Sequence, residues 1–419
     1  MTAEPSGPSL ARRLTTPDAV FIGVGSMVGA GLFSAFAPAA RAAGAMLLLS
    51  LGVAALVALC NAASSAQLAA QYPTSGGTYV YGRERLGPWW GFVAGWGFVI
   101  GKTASCAAMA LVFAAYLVPD AWQKPVAVGA VVALAGVNYR GITRTAGLTR
   151  IIVTVVLVLL AVVLLVVVVG GARPEAPALD AAAVGVGGVL QGAAILFFAF
   201  AGYARIATLG EEVVDPARTI PRAILGAFAV VVPLYAVTGI VLLGTLGVDA
   251  LATSPAPLRD AAATVTSSAW LQVVVVVAAA AATLGSLLAL IAGVGRTVLA
   301  MAREGDLPRR LSAVHERYAV PHVAEVTLAA VVCVLVLVTD LRGAIGFSSF
   351  GVLTYYAVAN ASALTQQAPH RRYPRTVPVV GLLGCVVLAL AVPATSLLAG
   401  LAVLAVGLLG RLVVRRRTT

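Results

Sequence analysis

The sequence predicts an all-α membrane protein with twelve transmembrane helices, and three observations predict it. The 419 residues are 60% hydrophobic and only 11% charged, with a mean hydropathy of +0.99, a balance that soluble globular chains do not show. Apolar runs long enough to cross a hydrocarbon core of about 30 Å recur along nearly the whole chain. The basic residues sit in short loops between those runs and favour alternate loops. The net charge of +12 is therefore a topology signal and not a nucleic-acid surface.

Taken in order, breaks in apolarity place the spans at about 17–40, 43–70, 89–117, 126–137, 148–170 and 184–209, then 223–246, 270–301, 324–339, 343–364, 377–392 and 394–412. The polar segment 1–16 lacks the short apolar core of a cleaved signal and is expected to be a cytoplasmic tail, as is 413–419. Arg12, Arg13, Arg83, Arg140, Arg218, Arg309 and Arg415 are among the many arginines on one face of this topology. The opposite loops hold only Arg41, Lys124, Arg173, Arg259 and Arg342. The rich face is expected to be cytoplasmic, with both termini there and the protein in the cell membrane.

Two connecting segments carry structure of their own. In YPTSGGTYVYGRERLGP, Gly76 and Gly77 supply a turn, and Tyr79, Tyr81 and Leu86 can lie against the membrane surface as a short in-plane element. The segment MAREGDLPRRLSAVHERYAVPH has the length and charge of a cytoplasmic loop containing a helix. Cys60, Cys106, Cys333 and Cys385 fall within apolar runs and read as small core residues. No metal constellation, cofactor motif or nucleophile–base pair can be assembled, so the sequence does not predict an enzyme or a cofactor.

Two spans are interrupted. FIGVGSMVGAGLF, from Phe21 to Phe33, places Gly25, Gly29 and Gly31 where a membrane helix needs intact backbone hydrogen bonds. The stretch reads either as a broken helix whose free N–H groups await an anionic group such as a carboxylate, or as a close-packing GxxxG pair at Gly25 and Gly29. In the sixth span, Phe198 to Ala204 hold aromatic and small residues around Gly202, and Arg205 follows at a costly depth. Interrupted helices that open two five-span units, 17–170 and 184–364, predict a 5+5 inverted repeat with its binding site at the breaks, and 377–412 as an addition.

Four motifs then occur in order: GVGSMVGAGLF, YPTSGGTYVYGRERLGP, FFAFAGYARIATLGEEVVDPARTIPRAI and GRTVLAMAREGDLP. Together they resemble the amino acid–polyamine–organocation family of amino acid permeases over most of the chain. The resemblance implies a leucine-transporter-like fold with broken helices 1 and 6, alternating access, and usually proton-coupled uptake or exchange of amino acids. It places the substrate carboxylate on the N–H groups of Gly29, Ala30 and Gly31, beside Gly25 and Ser26. It places the amino group on the carbonyls of Phe198, Ala199 and Ala201, beside Gly202. Phe200 and Tyr203 would be gates or pocket walls, or else core residues.

Charge inside the spans completes the candidates. Lys102 in the third span is a candidate proton-coupling residue; it could also snorkel, or pair permanently with a backbone carbonyl. Many members of the family carry a lysine in span 5, where this chain has Val156. Thr283 and Ser286 offer oxygens to sodium, or bond to their own backbone. Arg205 and Glu212, seven residues apart, are a candidate cytoplasmic gate pair with Glu211 as the alternative partner, or the glutamates contact loop arginines. No Asp or Glu lies deep in a span, so neutral amino acids are the expected substrates, with Lys102 and Arg205 leaving an acidic amino acid open; the resemblance makes protons the expected coupling ion. An exchanger or exporter of amino acids or amines, or a transport-dead sensor, would use the same fold.

Overall fold

A computed structural model describes residues 13–73, 76–141, 146–170 and 181–416. The chain begins with α1 (Thr16–Ser34), α2 (Phe36–Ala43), α3 (Leu47–Gln71), α4 (Thr78–Leu86), α5 (Pro88–Leu117), α6 (Asp120–Tyr139) and α7 (Ala146–Val169). It continues with α8 (Ala181–Phe200), α9 (Ala204–Ala207), α10 (Pro216–Thr253), α11 (Pro257–Val265) and α12 (Ala269–Arg303). It ends with α13 (His322–Val338), α14 (Leu341–Leu364), α15 (Thr376–Ala391) and α16 (Ala394–Arg416). Among the described residues no strand forms; Leu14 and Val213 make one isolated parallel bridge.

Helix covers each of the stretches expected to span. Among the described residues, eight helical stretches are long and apolar enough to cross a membrane, and α13 and α15 are shorter apolar helices. Exposed Leu56, Val158, Leu165, Val273, Leu383 and Leu398 form an apolar outer surface, as lipid contact requires.

α5 is the central post. It is buried along most of its length, and it crosses α14 at Gly97, Gly101 and Gly351, where a Cβ on Gly101 would lie 3.0 Å from the Ser348 carbonyl oxygen. Small residues here replace side-chain interdigitation with direct backbone contact, which is how helices gain packing energy where lipid gives no hydrophobic drive. Ser105 and Ser348 hydroxyls add a 2.7 Å hydrogen bond across the same crossing.

The in-plane segment forms α4, ended by Gly87 at φ +100. It is fixed by a buried ionic knot around Asp306. Arg411 of α16 donates from Nε to Asp306 at 2.8 Å, with its Nη2 in ion-pair contact at 2.8 Å, Tyr79 donates its hydroxyl at 2.9 Å, and Arg83 pairs at 3.2 Å. The Arg411 guanidinium also lies over Trp89 and Phe92, 4.5 and 4.9 Å from their centroids. Burial, then the Asp306 carboxylate, holds the Tyr79 phenol well above its ordinary pKa, so it stays a donor.

The loop after α12 departs from expectation. In place of a helix it has only a 3₁₀ turn, Arg309–Ser312. Pro308 and Pro321 bracket the segment and Ala319 sits at φ +52, which leaves too short an uninterrupted stretch for an α-helix. Sequence reading also gave no sign of α11, which packs beyond a kink at Gly247 (φ +72).

Candidate functional site

The break in α1 is compact. Its start is set by Thr15, whose N–H and hydroxyl both donate to Asp18, with Pro17 in the first turn. Fourteen residues on, by its number, Gly29 leaves helical geometry at φ −33, ψ −119. Around it the carbonyls freed or weakened by the break are met from other helices. Ser286 of α12 donates to Gly25 O at 3.1 Å, Tyr235 of α10 to Met27 O at 2.6 Å, and Tyr116 of α5 to Phe33 O at 2.9 Å. Ser26 bonds back to Ile22 O at 2.8 Å.

The second break is a 3₁₀ turn, Ala201–Tyr203, between α8 and α9. Ala199 O accepts from Tyr235 at 3.0 Å, and Ala201 O accepts from Lys102 Nζ at 3.0 Å and from Tyr356 at 3.4 Å. Lys102 is 4% exposed. Phe200 is enclosed by Phe228 and Tyr235, and Tyr203 stacks on Tyr356 at 4.9 Å and meets Phe228 at 5.5 Å.

The two breaks touch. A Cβ on Gly31 would overlap the backbone of Ala199, and one on Gly202 would overlap Ser26 and Met27. Both glycines are thus needed for backbone-to-backbone approach. Gly25 and Gly29 face elsewhere, toward Val153 of α7 and Ser286 of α12.

That second direction leads to a cavity of about 200 Å³. Gly25, Ser26 and Gly29 line it beside Val156 and Ser286, and Asn138 of α6 contributes an amide. Arg205, Glu212 and Arg296 supply its charges, and Leu14 bounds it. Arg205 and Glu212 are 4.0 Å apart, each about a third exposed. The Glu212 carbonyl accepts the N–H groups of Arg13 and Leu14 at 3.0 Å each, which ties the segment before α1 to the turn beyond α9.

Residues 14–407 match a family model described as amino acid permease. The chain belongs to that family. An uncharacterized transporter of Mycobacterium tuberculosis is 58% identical over 398 residues, which cover 95% of this permease and 90% of the relative. A cationic amino acid transporter of Arabidopsis thaliana is 30% identical over 85% of this chain and 66% of its own. A branched-chain amino acid permease of Bacillus subtilis is 27% identical over 84% of this chain and 80% of its own. The permease is therefore a multi-pass membrane protein of a transporter family and not an enzyme.

The structure of the permease gathers Gly25, Ser26 and Gly29 at one cavity and puts Phe198, Ala199, Phe200, Ala201 and Tyr203 behind them, buried. The side chain of Ala30 lies outside the described residues. Lys102 bonds a backbone carbonyl, one of the arrangements open at sequence level. Thr283 bonds its own helix at Ala279 O, 2.6 Å, as hydroxyls in alanine-rich helices do. Tyr235 and Tyr356 were missed. Both sit mid-run in apolar stretches, where a phenol has to find an acceptor, and that demand was a usable signal.

Proposed function

We propose that this permease is a secondary active transporter of neutral amino acids. It runs proton-coupled uptake by alternating access across the cell membrane, with twelve spans in a 5+5 inverted repeat (17–170 and 184–364) and both termini cytoplasmic. The carboxylate binds at Gly29, Ala30 and Gly31, reached through the cavity, and the amino group binds at the carbonyls of the second break. Neutral side chains fit best because, among the described residues, the cavity is lined by Arg205 and Arg296 against one carboxylate, Glu212. The branched-chain specificity in the name of the Bacillus subtilis relative agrees with this, and the cationic specificity of the Arabidopsis thaliana relative does not. Arg205 and Glu212, with Glu211 beside them, form the cytoplasmic gate.

The observation that carries the coupling is the Lys102 ammonium on the Ala201 carbonyl. A protonated Lys102 fixes the 3₁₀ turn while substrate takes the neighbouring carbonyls of Phe198 and Ala199; its proton then leaves to the cytoplasm and frees the turn. The same contact supports a second reading. If the substrate amine needs Ala201 O itself, lysine and substrate exclude each other, and the protein exchanges or exports its substrate against protons. Uptake of labelled neutral amino acids into proteoliposomes, with and without an inward proton gradient, separates the two. Accumulation driven by the gradient and lost in Lys102→Ala supports symport. Gradient-driven loss of preloaded label supports export, and counterflow indifferent to the gradient supports exchange; either outcome overturns symport.

A further inference from the structure

The cations of the basic-poor face are not scattered. Arg41 of α2, Lys124 of α6 and Arg342 of α14 line one cavity of about 780 Å³, with Asp120 and Asp340. Arg259 bonds the Ala115 carbonyl at 3.2 Å on its wall, and Arg173 lies outside the described residues.

Among the described residues none of these three cations forms an ion pair. Lys124 Nζ donates to Leu337 O at 2.6 Å and Arg342 Nη2 to Gln191 Oε1 at 3.4 Å, both neutral acceptors. Arg342 Nε is buried and has no hydrogen-bond partner. The two carboxylates are engaged elsewhere: Asp340 accepts the Gly343 N–H at 2.8 Å as the cap of α14, and Asp120 accepts from Gln123 at 2.7 Å. A walled site with surplus, unpaired positive charge focuses field and concentrates anions. Guanidinium groups match a carboxylate's two oxygens.

We infer that this cavity is a second, outer binding site for small carboxylates, the carboxylate of the transported amino acid among them. It rests on the amino acid reading above for the identity of that solute, but not for the chemistry. Arg41 rides on α2, the continuation of the first broken helix, while Lys124 and Arg342 belong to α6 and α14. A bound carboxylate therefore holds α2 against its neighbours and keeps this face closed while the cavity at Gly29 is occupied or emptied.

The test is thiol modification of the full-length protein in detergent, where both faces are accessible and no transport is required. Ala121, an exposed lining residue, is changed to Cys, and the unsubstituted protein gives the background from the four native cysteines. With every rate divided by the same reagent's rate on a free thiol in solution, an anionic methanethiosulfonate is expected to react about tenfold faster than a cationic one of like size. The preference is expected to collapse in Arg41→Gln/Arg342→Gln, and in Lys124→Gln to fall partway. Acetate and glycine are expected to slow the anionic reagent while acetamide does not. Equal rates for the two reagents, a preference indifferent to all three substitutions, or equal effects of acetate and acetamide overturn the site. Protection by phosphatidylglycerol without protection by acetate overturns it as a solute site and assigns it to a lipid headgroup. Because the readout is chemical, it stands if uptake of amino acids is never observed, and its failure leaves the transport reading untouched.

Discussion

In α1 the helix gives way at one residue, Gly29, against a cavity; between α8 and α9 it gives way over a three-residue 3₁₀ turn sealed among aromatic rings. The first break has Gly29 on the cavity wall, and the second has the Ala199 and Ala201 carbonyls taken by Tyr235, Lys102 and Tyr356. The difference teaches that the second break is locked by the protein's own donors and aromatic rings in this conformation, whereas the first borders the cavity through Gly29.

The comparison can be broken or sharpened by substitution. Gly202→Val should act most strongly, since its new side chain would meet the backbone of Ser26 and Met27, which cannot rotate away. A loss of about 3 kcal/mol is expected, read as a collapse in thermal stability in detergent. Gly52→Ala, with open space around it, should match or slightly exceed the parent. Were Gly202→Val as stable as Gly52→Ala, the two breaks would not be in contact.

Tyr235→Phe removes the hydroxyl shared by Met27 O and Ala199 O and leaves buried acceptors unmet. About 1–3 kcal/mol is expected, with thermal unfolding as the measurement. Ser286→Ala should cost under about 1 kcal/mol, because Gly25 O lies on the cavity, where water can replace the lost donor. A larger loss for Ser286→Ala than for Tyr235→Phe would reverse the assignment of open and sealed breaks. Glu212→Gln should shift stability least, by about 0.5 kcal/mol or less, since its pair with Arg205 is long and partly solvated. If it alters transport, the effect should appear in rate and not in the melting curve.

Much of this was readable in the residues. The all-helical class follows from 60% hydrophobic content, and the two interruptions were visible because glycines and an arginine sit where a membrane helix tolerates neither cheaply. The turn at Gly76 and Gly77 and the helix after it were visible from turn chemistry and amphipathic residues. Phe200 and Tyr203 show the limit. An aromatic beside a break is equally a gate or a core residue until its neighbours are known, and here Phe228, Tyr235 and Tyr356 come from other helices.

By itself the sequence determined the solvent this protein folds in, the order of its helices and the two places where they yield, because burial in lipid penalises each residue according to its own chemistry. Only the tertiary structure decided which break faces open space, what occupies the other's carbonyls, and that Arg41, Lys124 and Arg342 share a cavity. Those facts depend on the rotation and register of helices hundreds of residues apart in sequence. No local pattern encodes them; the packing of glycine against backbone does.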